Sequence, residues 1–209
     1  MFIEKAARER GINEVIHFTT NEGLVGILHS EKILPNARLQ KEDTLEFIFK
    51  QNSEKRKERD LNWLNYINFS LTKVNSTFFS YSQYRRQSDE IFWVIIAFST
   101  EVLDHLGVYF TTTNNIYPSN IRKEGMSGFE NMFSDVIEGR FQQTIARDQS
   151  HLPSWTTCEQ AEVLYPNECS IEHLSKIYVK NEEHKHSVKA ILAGLDKCFD
   201  VEVALDKFQ

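Results

Sequence analysis

The most apolar stretch of the chain is Ile91-Phe-Trp-Val-Ile-Ile-Ala-Phe98, and it limits the folds that the sequence can adopt. A short continuous apolar run that is rich in β-branched and aromatic residues is typical of a strand buried on both faces. We therefore predict that this run forms the central strand of a sheet, with Val108–Thr112 as its neighbour. No run in the chain has the length of apolar sequence that a bilayer-spanning helix requires.

The composition favours a single globular domain. The chain has 209 residues, of which 41% are hydrophobic, and this is enough apolar material to close one core. We expect one domain over residues 1–209. Residues 1–10 alternate in charge and lack the apolar stretch of a signal peptide, so we expect a soluble, cytoplasmic protein that has no membrane partner.

Cysteine and histidine spacing argues against disulfide and metal frameworks. Cys158, Cys169 and Cys198 are odd in number, and no two of them form a Cys-x-x-Cys pair. His184 and His186 are two positions apart, which on a helix turns them to different faces. We therefore expect three free thiols and no metal site.

The charge balance does not favour a surface coated in nucleic acid. The net charge is −6, whereas nucleic-acid-binding domains are usually basic. A basic run lies between Lys50 and Arg59, and smaller clusters are Arg85-Arg86 and Arg122-Lys123. Each is either a solvated helix face or a phosphate-binding patch. The sequence contains no P-loop, dinucleotide-binding glycine fingerprint or nucleophile elbow.

Hydrophobic periodicity and capping residues predict helices interleaved with strands. The predicted helices are Ile3–Arg10, one that begins at Thr20 or Asn21, an amphipathic segment within Lys41–Asp60, a short one around Phe129–Phe133, and Glu182–Leu195. The further predicted strands are Glu14–Thr19, Asn65–Leu71, Ser175–Val179 and Phe199–Val203. Residues 114–147 are polar with few strand signals, and we expect a long functional or mobile insert there.

One glutamate stands at the start of a predicted strand in Thr156-Thr-Cys-Glu-Gln-Ala-Glu-Val-Leu-Tyr165. Apolar residues alternate with Glu162 and Leu164 in the two-residue period of a strand, which Pro166-Asn167 stops. Glu162 therefore faces the side opposite to Val163. The alternatives are a catalytic carboxylate and an ordinary exposed strand residue, which is the more common fate of a single glutamate.

Two further pairs of polar residues lie at predicted strand ends. His17 and Thr19 come directly before a helix, where free backbone N–H groups favour polar or anionic ligands. A histidine satisfied within the core is the more common case. Ser70 and Asn75 bracket the turn after another strand. The rings of Phe78–Tyr81 either stack on a planar ligand or, more commonly, pack against the sheet.

Four short segments in chain order carry a family resemblance. They are Val15-Ile-His-Phe-Thr19, Tyr66-Ile-Asn-Phe-Ser-Leu-Thr-Lys-Val-Asn75, Phe92-Trp-Val-Ile-Ile-Ala97 and Cys158-Glu-Gln-Ala-Glu-Val-Leu164. Together they resemble the DarT family, which are toxin ADP-ribosyltransferases that modify bases of single-stranded DNA using NAD. The resemblance implies an α+β fold with a split, mainly antiparallel sheet core and flanking helices. It also implies a cleft for NAD as co-substrate and no metal.

The resemblance implies the roles of individual residues. Glu162 matches the glutamate that carries the reaction: a carboxylate there stabilises the cation left on the ribose as nicotinamide departs, and accepts the proton of the attacking base. Arg59, with Arg56 as its rival, matches an arginine that holds phosphate and substrate. The implied NAD-binding residues are His17, Thr19, Ser70 and Asn75. The implied substrate-binding residues are Trp155, Thr157, Cys158, Gln160 and Arg56.

The expected base follows from one departure from the family pattern. Members that modify thymidine carry Pro-Phe-Tyr-Phe followed by Pro-Arg-Ser-Pro, where this chain has Asn68-Phe-Ser-Leu and Lys73-Val-Asn-Ser76. It is more similar to the branch associated with guanosine, so guanine is the expected target. The base would be unstacked and held by contacts such as those of Trp155 and the segment Phe129–Phe133.

Partners and rival functions follow from the same resemblance. The expected partners are single-stranded DNA and an antitoxin ADP-ribosyl hydrolase of the macrodomain type, within a toxin-antitoxin or phage-defence system. One alternative is an ADP-ribosyltransferase that acts on protein or RNA, which the acidic net charge favours. Another is a non-catalytic NAD-binding module of the same fold.

Overall fold

The computed structural model of the protein describes residues 2–35, 63–85, 88 and 90–209. Arg56, Arg59, Arg86 and the predicted helix within Lys41–Asp60 lie outside these residues. The helices of the described part are α1 (Ile3–Glu9), α2 (Asn21–Ser30), α3 (Ser76–Arg85), α4 (Gly125–Asn131) and α5 (Glu182–Gly194). Its strands are β1 (Val15–Thr20), β2 (Lys32–Ile33), β3 (Tyr66–Leu71), β4 (Trp93–Phe98), β5 (Tyr109–Thr111), β6 (Arg122–Glu124), β7 (Val136–Glu138), β8 (Thr144–Ala146), β9 (Val163–Pro166), β10 (Cys169–Ser170), β11 (Leu174–Val179) and β12 (Asp200–Val203).

One large sheet organises the fold. Its eight strands follow the order β12-β11-β4-β1-β3-β9-β5-β6, and every neighbouring pair is antiparallel except β11 with β12. Two small antiparallel ladders, β2 with β10 and β7 with β8, lie outside it. The predicted α+β class with a mainly antiparallel sheet is confirmed.

The large sheet is nearly divided between β1 and β3. β1 pairs with β4 along its whole length from Val15 to Thr20, but it pairs with β3 only at Val15 and Ile16. Beyond that point the backbone pairing stops, and a side chain of β1 contacts β3 instead. His17 Nδ1 lies 2.9 Å from the carbonyl oxygen of Asn68. This separation corresponds to the split that the family resemblance implied.

The apolar run predicted as the central strand forms β4, and all six of its residues are buried. It lies inside the sheet, between β1 and β11. The predicted pairing with Val108–Thr112 is wrong, because β1 and β11 occupy both edges of β4 and β5 pairs with β6 and β9. Phe110 of β5 instead packs edge-on against Phe129 of α4, with 5.7 Å between ring centroids.

The polar insert of residues 114–147 has more regular structure than its sequence predicts. It contains β6, α4 and the hairpin of β7 and β8. Each strand is three residues long, which is too short for an alternation to stand out in the sequence. The helix predicted around Phe129–Phe133 begins earlier, at Gly125, and buries Phe129.

The other predicted elements occur close to their predicted ends. α2 follows Thr20, whose side-chain oxygen accepts a hydrogen bond from the Gly23 N–H, as a helix cap does. The aromatic residues Phe78–Tyr81 lie in α3, where Phe79 is buried and Phe78 and Tyr81 are exposed. Among the described residues, no helix combines the length and the apolar character needed to span a membrane.

Candidate active site

Glu162 directly precedes β9, and its backbone is fixed on both sides by Thr111 of β5. The Glu162 N–H donates to Thr111 Oγ1 at 2.8 Å, and the Glu162 carbonyl oxygen accepts from the Thr111 N–H at 2.9 Å. The Thr111 hydroxyl lies 2.8 Å from the carbonyl oxygen of Thr113, to which it donates. The predicted strand therefore begins one residue after Glu162, at a position that β5 holds in place.

Both oxygens of the Glu162 carboxylate accept hydrogen bonds. Oε1 accepts from the side-chain amide of Asn68 at 2.9 Å, and Oε2 accepts from the backbone N–H of Asn115 at 2.8 Å. The side chain is partly buried. Hydrogen bonds to a charged acceptor are stronger than those between neutral groups, so the two donors fix the orientation of this carboxylate.

Asn115 is itself held by Arg122 of β6. The Arg122 Nε donates to the Asn115 side-chain oxygen at 2.6 Å, and a terminal nitrogen donates to the Asn115 carbonyl oxygen at 2.9 Å. The guanidinium lies over the ring of Trp63, with 5.1 Å between Cζ and the centroid. A planar guanidinium makes such a two-point contact where a lysine cannot. Arg122 therefore acts on Glu162 through Asn115.

His17 of β1 contacts Asn68, the residue whose side chain also binds Glu162. A carbonyl oxygen only accepts hydrogen bonds, so the contact with Asn68 places a proton on Nδ1 and leaves Nε2 of the neutral ring as an acceptor. Burial lowers the pKa of His17 below its ordinary value, and the hydrogen bond to Asn68 opposes that shift only in part. The ring packs edge-on against Phe69, with 5.9 Å between centroids.

Asn68 links two of the predicted site residues, His17 and Glu162. Its carbonyl contacts His17 and its side chain contacts Glu162. No role for Asn68 or Asn115 in holding Glu162 was predicted from the sequence, where Asn68 only began the segment that bears on the base and Arg122 belonged to a basic pair. The position of Asn68 between the buried Ile67 and Phe69 was a usable signal, because it turns the side chain away from the core.

The other predicted NAD-binding residues each have their own local surroundings. Thr19 is buried beneath the first turn of α2, where a side chain at Gly23 would come within 2.1 Å of Thr19 Oγ1. Asn75 is buried and its side-chain oxygen accepts from the Phe78 N–H at 3.0 Å, which caps α3. Ser70 is partly exposed on β3. Their contact with NAD stays a prediction.

A cavity of about 460 Å³ is lined by the loop that precedes Glu162, but not by Glu162, His17 or Asn68 themselves. Its wall includes Ala161, the residue before Glu162, and Thr113. All four predicted substrate-binding residues of the preceding loop also line it: Trp155, Thr157, Cys158 and Gln160. The structure therefore brings these four side chains together on one surface, although it does not test what they bind.

Two of the four are buried and form part of the cavity's framework. The Thr157 hydroxyl donates to the carbonyl oxygen of Ser134 at 2.7 Å. Cys158 Sγ lies 3.2 Å from Thr113 Oγ1, and burial raises the pKa of the Cys158 thiol above its ordinary value, so the thiol is neutral. Trp155 and Gln160 are partly exposed and can meet a ligand directly.

Hydrogen bonds from Arg147 to backbone carbonyl oxygens hold the loop that carries these residues. One terminal nitrogen of Arg147 donates to the Trp155 carbonyl oxygen at 2.6 Å, and the other donates to that of Leu152 at 2.9 Å. On the cavity side, Lys73 Nζ lies 4.2 Å from the centroid of the Trp155 ring. Trp155 is thus fixed through its backbone and contacted by a cation through its ring.

The described part of the chain has no group of three or more histidine, cysteine or acidic side chains placed to hold a metal ion. The expected arginine contacts of Arg56 and Arg59 fall outside the described residues and stay predictions. The chemical groups assembled here are a carboxylate with two N–H donors and a neutral imidazole, and the loop before the carboxylate lines a cavity.

Comparisons with solved structures show where this fold occurs. Thermus sp. 2.9 DarT in complex with NAD⁺ has a TM-score of 0.66 at 15% identity, covering 94% of this chain and 98% of that one. The same protein in complex with ADP-ribosylated ssDNA has a TM-score of 0.66 at 16% identity, with 95% and 97% covered. Thermosipho africanus DarTG in complex with ADP-ribose has a TM-score of 0.58 at 12% identity, with 94% of this chain and 51% of that chain covered. No curated protein matches the sequence.

The family assignment rests on the match between this sequence and the model of one protein family. The family described as "ssDNA thymidine ADP-ribosyltransferase, DarT" matches residues 16–209, which is most of the chain. The solved structures share the fold over nearly the whole length. This protein therefore belongs to the DarT family of ADP-ribosyltransferases.

Proposed function

We propose that the protein uses NAD to transfer ADP-ribose to a base of single-stranded DNA. The observation that carries the proposal is the Glu162 carboxylate, which is held by N–H donors from Asn68 and Asn115 and directly follows Ala161, a residue of the cavity wall. Membership of the DarT family supports the reaction class. The Thermus relative with NAD⁺ and with ADP-ribosylated ssDNA supports the same two substrates.

The carboxylate suits this reaction in charge and position. The bond between nicotinamide and C1″ of the ribose breaks, and nicotinamide leaves with the bonding electron pair. The ribose then carries positive charge at C1″, which a fixed carboxylate in a partly dry site stabilises. A nitrogen of the base forms the new bond with its lone pair, and Glu162 accepts the proton that this nitrogen loses.

The remaining predicted residues divide between the two substrates. His17 offers Nε2 as an acceptor for a ribose hydroxyl of NAD, while Thr19, Ser70 and Asn75 complete the NAD side. Trp155, Gln160 and the cavity wall of Thr157 and Cys158 take the DNA base. Arg59, or Arg56 in its place, binds phosphate.

We infer guanine as the modified base. The support is the sequence Asn68-Phe-Ser-Leu with Lys73-Val-Asn-Ser76, which departs from the pattern of the members that modify thymidine. The family description favours thymidine as the second candidate. The deciding experiment incubates the protein and the Glu162→Ala variant with labelled NAD and oligonucleotides that contain one kind of reactive base. Labelling of guanine by the wild type alone supports the proposal, and labelling of thymine alone would replace guanine.

The same experiment separates the rival functions. An enzyme that modifies protein or RNA consumes NAD but leaves the oligonucleotides unlabelled, and a non-catalytic module consumes none. We also propose an antitoxin hydrolase that removes the ADP-ribose. The support is the similarity to Thermosipho DarTG, of whose chain this protein covers 51%. Release of label from modified DNA by a macrodomain-type hydrolase tests that partner.

A further inference from the structure

The tip of the β7–β8 hairpin presents an aromatic ring to solvent. Phe141 is 86% exposed, so nearly its whole ring is accessible to a ligand. The guanidinium of Arg140 lies against the ring, with 4.5 Å between Cζ and the ring centroid. An exposed aromatic ring paired with a cation is the arrangement that proteins use to stack on nucleic-acid bases.

The backbone of the tip holds Phe141 outward. Phe141 and Gln142 both have positive φ angles, 56° and 62°, a left-handed conformation that is costly for residues other than glycine. Three hydrogen bonds fix the turn: Gly139 N–H to the Gln143 carbonyl at 2.7 Å, Gln143 N–H to the Arg140 carbonyl at 3.1 Å, and the Ser119 hydroxyl to the Gly139 carbonyl at 3.0 Å. Such a conformation persists only where the surrounding structure imposes it.

The hairpin contributes to the wall of the cavity described above with residues on either side of Phe141. Arg140, Gln143 and Ile145 from the hairpin line the same cavity as Trp155. Two aromatic rings with an adjacent cation therefore belong to this region, Trp155 with Lys73 and Phe141 with Arg140.

The charges of the cavity wall suit a polyanion in spite of the acidic chain. Lys73 and Arg140 are its cations, and the ring of His151 contacts the carboxylate of Asp148 at 3.2 Å. Glu159 is its acidic residue, and hydrogen bonds from the hydroxyls of Ser76 and Thr77 occupy its oxygens. Proteins that bind single-stranded nucleic acid place cations along its phosphate backbone and aromatic rings against its successive bases.

We propose that Phe141 stacks on a base adjacent to the nucleotide that receives ADP-ribose, while Arg140 contacts the neighbouring phosphate. The inference rests on the proposed function, because it takes single-stranded DNA as the substrate. It assigns the hairpin tip as a second base-contact site, outside the loop that precedes Glu162.

The test compares variants of the full chain for binding of a fluorescent single-stranded oligonucleotide without NAD. We expect Phe141→Ala to raise Kd by about fivefold or more, as the loss of one stacked base does, and Phe141→Trp to restore it. Val136→Ala is the matched control, since Val136 is an exposed apolar residue of the same hairpin, on β7. It should leave Kd unchanged.

A series of oligonucleotides with one abasic position each identifies the contact. With the wild type, one abasic position beside the target should weaken binding as much as Phe141→Ala does. With Phe141→Ala, that same position should have no further effect. An unchanged Kd in the Phe141→Ala variant overturns the inference. So does a result in which every abasic position weakens binding to this variant as much as it weakens binding to the wild type.

Labelling with NAD distinguishes this failure from failure of the proposed function. If the wild type labels DNA but the Phe141 variants bind as the wild type does, the second base contact alone is wrong. If the wild type labels no DNA, the proposed function is wrong and this inference falls with it.

Discussion

The side-chain amide of Asn68 donates to Oε1 of Glu162 at 2.9 Å. The carbonyl oxygen of the same asparagine accepts the hydrogen bond of His17. A single residue of β3 therefore couples the proposed reacting carboxylate to the imidazole of β1, at the place where the sheet separates. A shift of β3 would displace both groups together.

Replacement of Asn68 should separate these two contacts. Asn68→Ala removes the amide that orients Glu162 and keeps the carbonyl that His17 uses, so we expect kcat to fall about tenfold with little change in the KM for NAD. Asn68→Asp places a second carboxylate against the first, so we expect a larger loss at neutral pH and partial recovery in acid, when the pair shares a proton. An Asp variant that is as active as the wild type at neutral pH would contradict this role.

Removal of the Glu162 charge should stop transfer without preventing NAD binding. For Glu162→Ala and Glu162→Gln we expect a loss of at least about 3 kcal/mol of transition-state stabilisation, roughly a hundredfold in rate. Calorimetry should give a Kd for NAD close to that of the wild type. A variant with a third or more of normal turnover would remove Glu162 from the reaction.

Arg122 should act as a positioning residue. Arg122→Lys keeps the charge but loses the two-point hold on Asn115, so we expect kcat to fall about tenfold while the KM for NAD changes little. Lys123→Ala is the matched control, because Lys123 is an exposed cation on the same strand. Equal kcat losses in the two variants would point to general surface charge instead of positioning.

The low pKa of His17 predicts a pH dependence of stability. Below the ordinary value of 6.5 the unfolded chain binds a proton that the folded protein resists, so the free energy of unfolding should fall as the pH falls from 6.5 through the lower folded pKa. Gln cannot titrate in the His17→Gln variant. The slope of its free energy of unfolding against pH should therefore be smaller than that of the wild type, by the equivalent of at most one bound proton. Urea titrations of both proteins across this range measure the difference, and identical slopes would show that His17 is solvated.

The three cysteines should differ in reactivity. Cys158 and Cys169 are buried and Cys198 is exposed. Burial raises the pKa of Cys158, and it raises the pKa of Cys169 to about 12, so both lack the reactive thiolate. In the native protein we expect iodoacetamide to modify Cys198 first, as peptide mass spectrometry would show. Modification of Cys158 at the rate of Cys198 would mean that the loop before Glu162 opens.

Local patterns in the sequence predicted individual elements better than their pairing. β4 could be predicted because its burial on both faces leaves an unbroken apolar run. Its neighbours could not, because β1 and β11 come from distant parts of the chain and the residues of β4 do not specify them. The strands β6, β7 and β8 were missed because three residues are too few for a period.

The same distinction applies to the candidate site. Glu162 could be predicted because it interrupts an apolar strand pattern and fits a family motif. One of its two donors could not, because the Asn115 group that contacts it is a backbone N–H, which every residue except proline has. Only the fold shows that this N–H faces the carboxylate.

The anchoring of the loop before Glu162 has a consequence for how substrate preference can evolve. Hydrogen bonds of Arg147 and of the buried Thr157 hold the loop in place, whereas the side chains of Trp155 and Gln160 are partly exposed. Under the proposed function, stability and base selection would depend on different side chains of one short segment. Replacements at the accessible positions would then change which nucleotide fits while the scaffold that carries Glu162 stays intact.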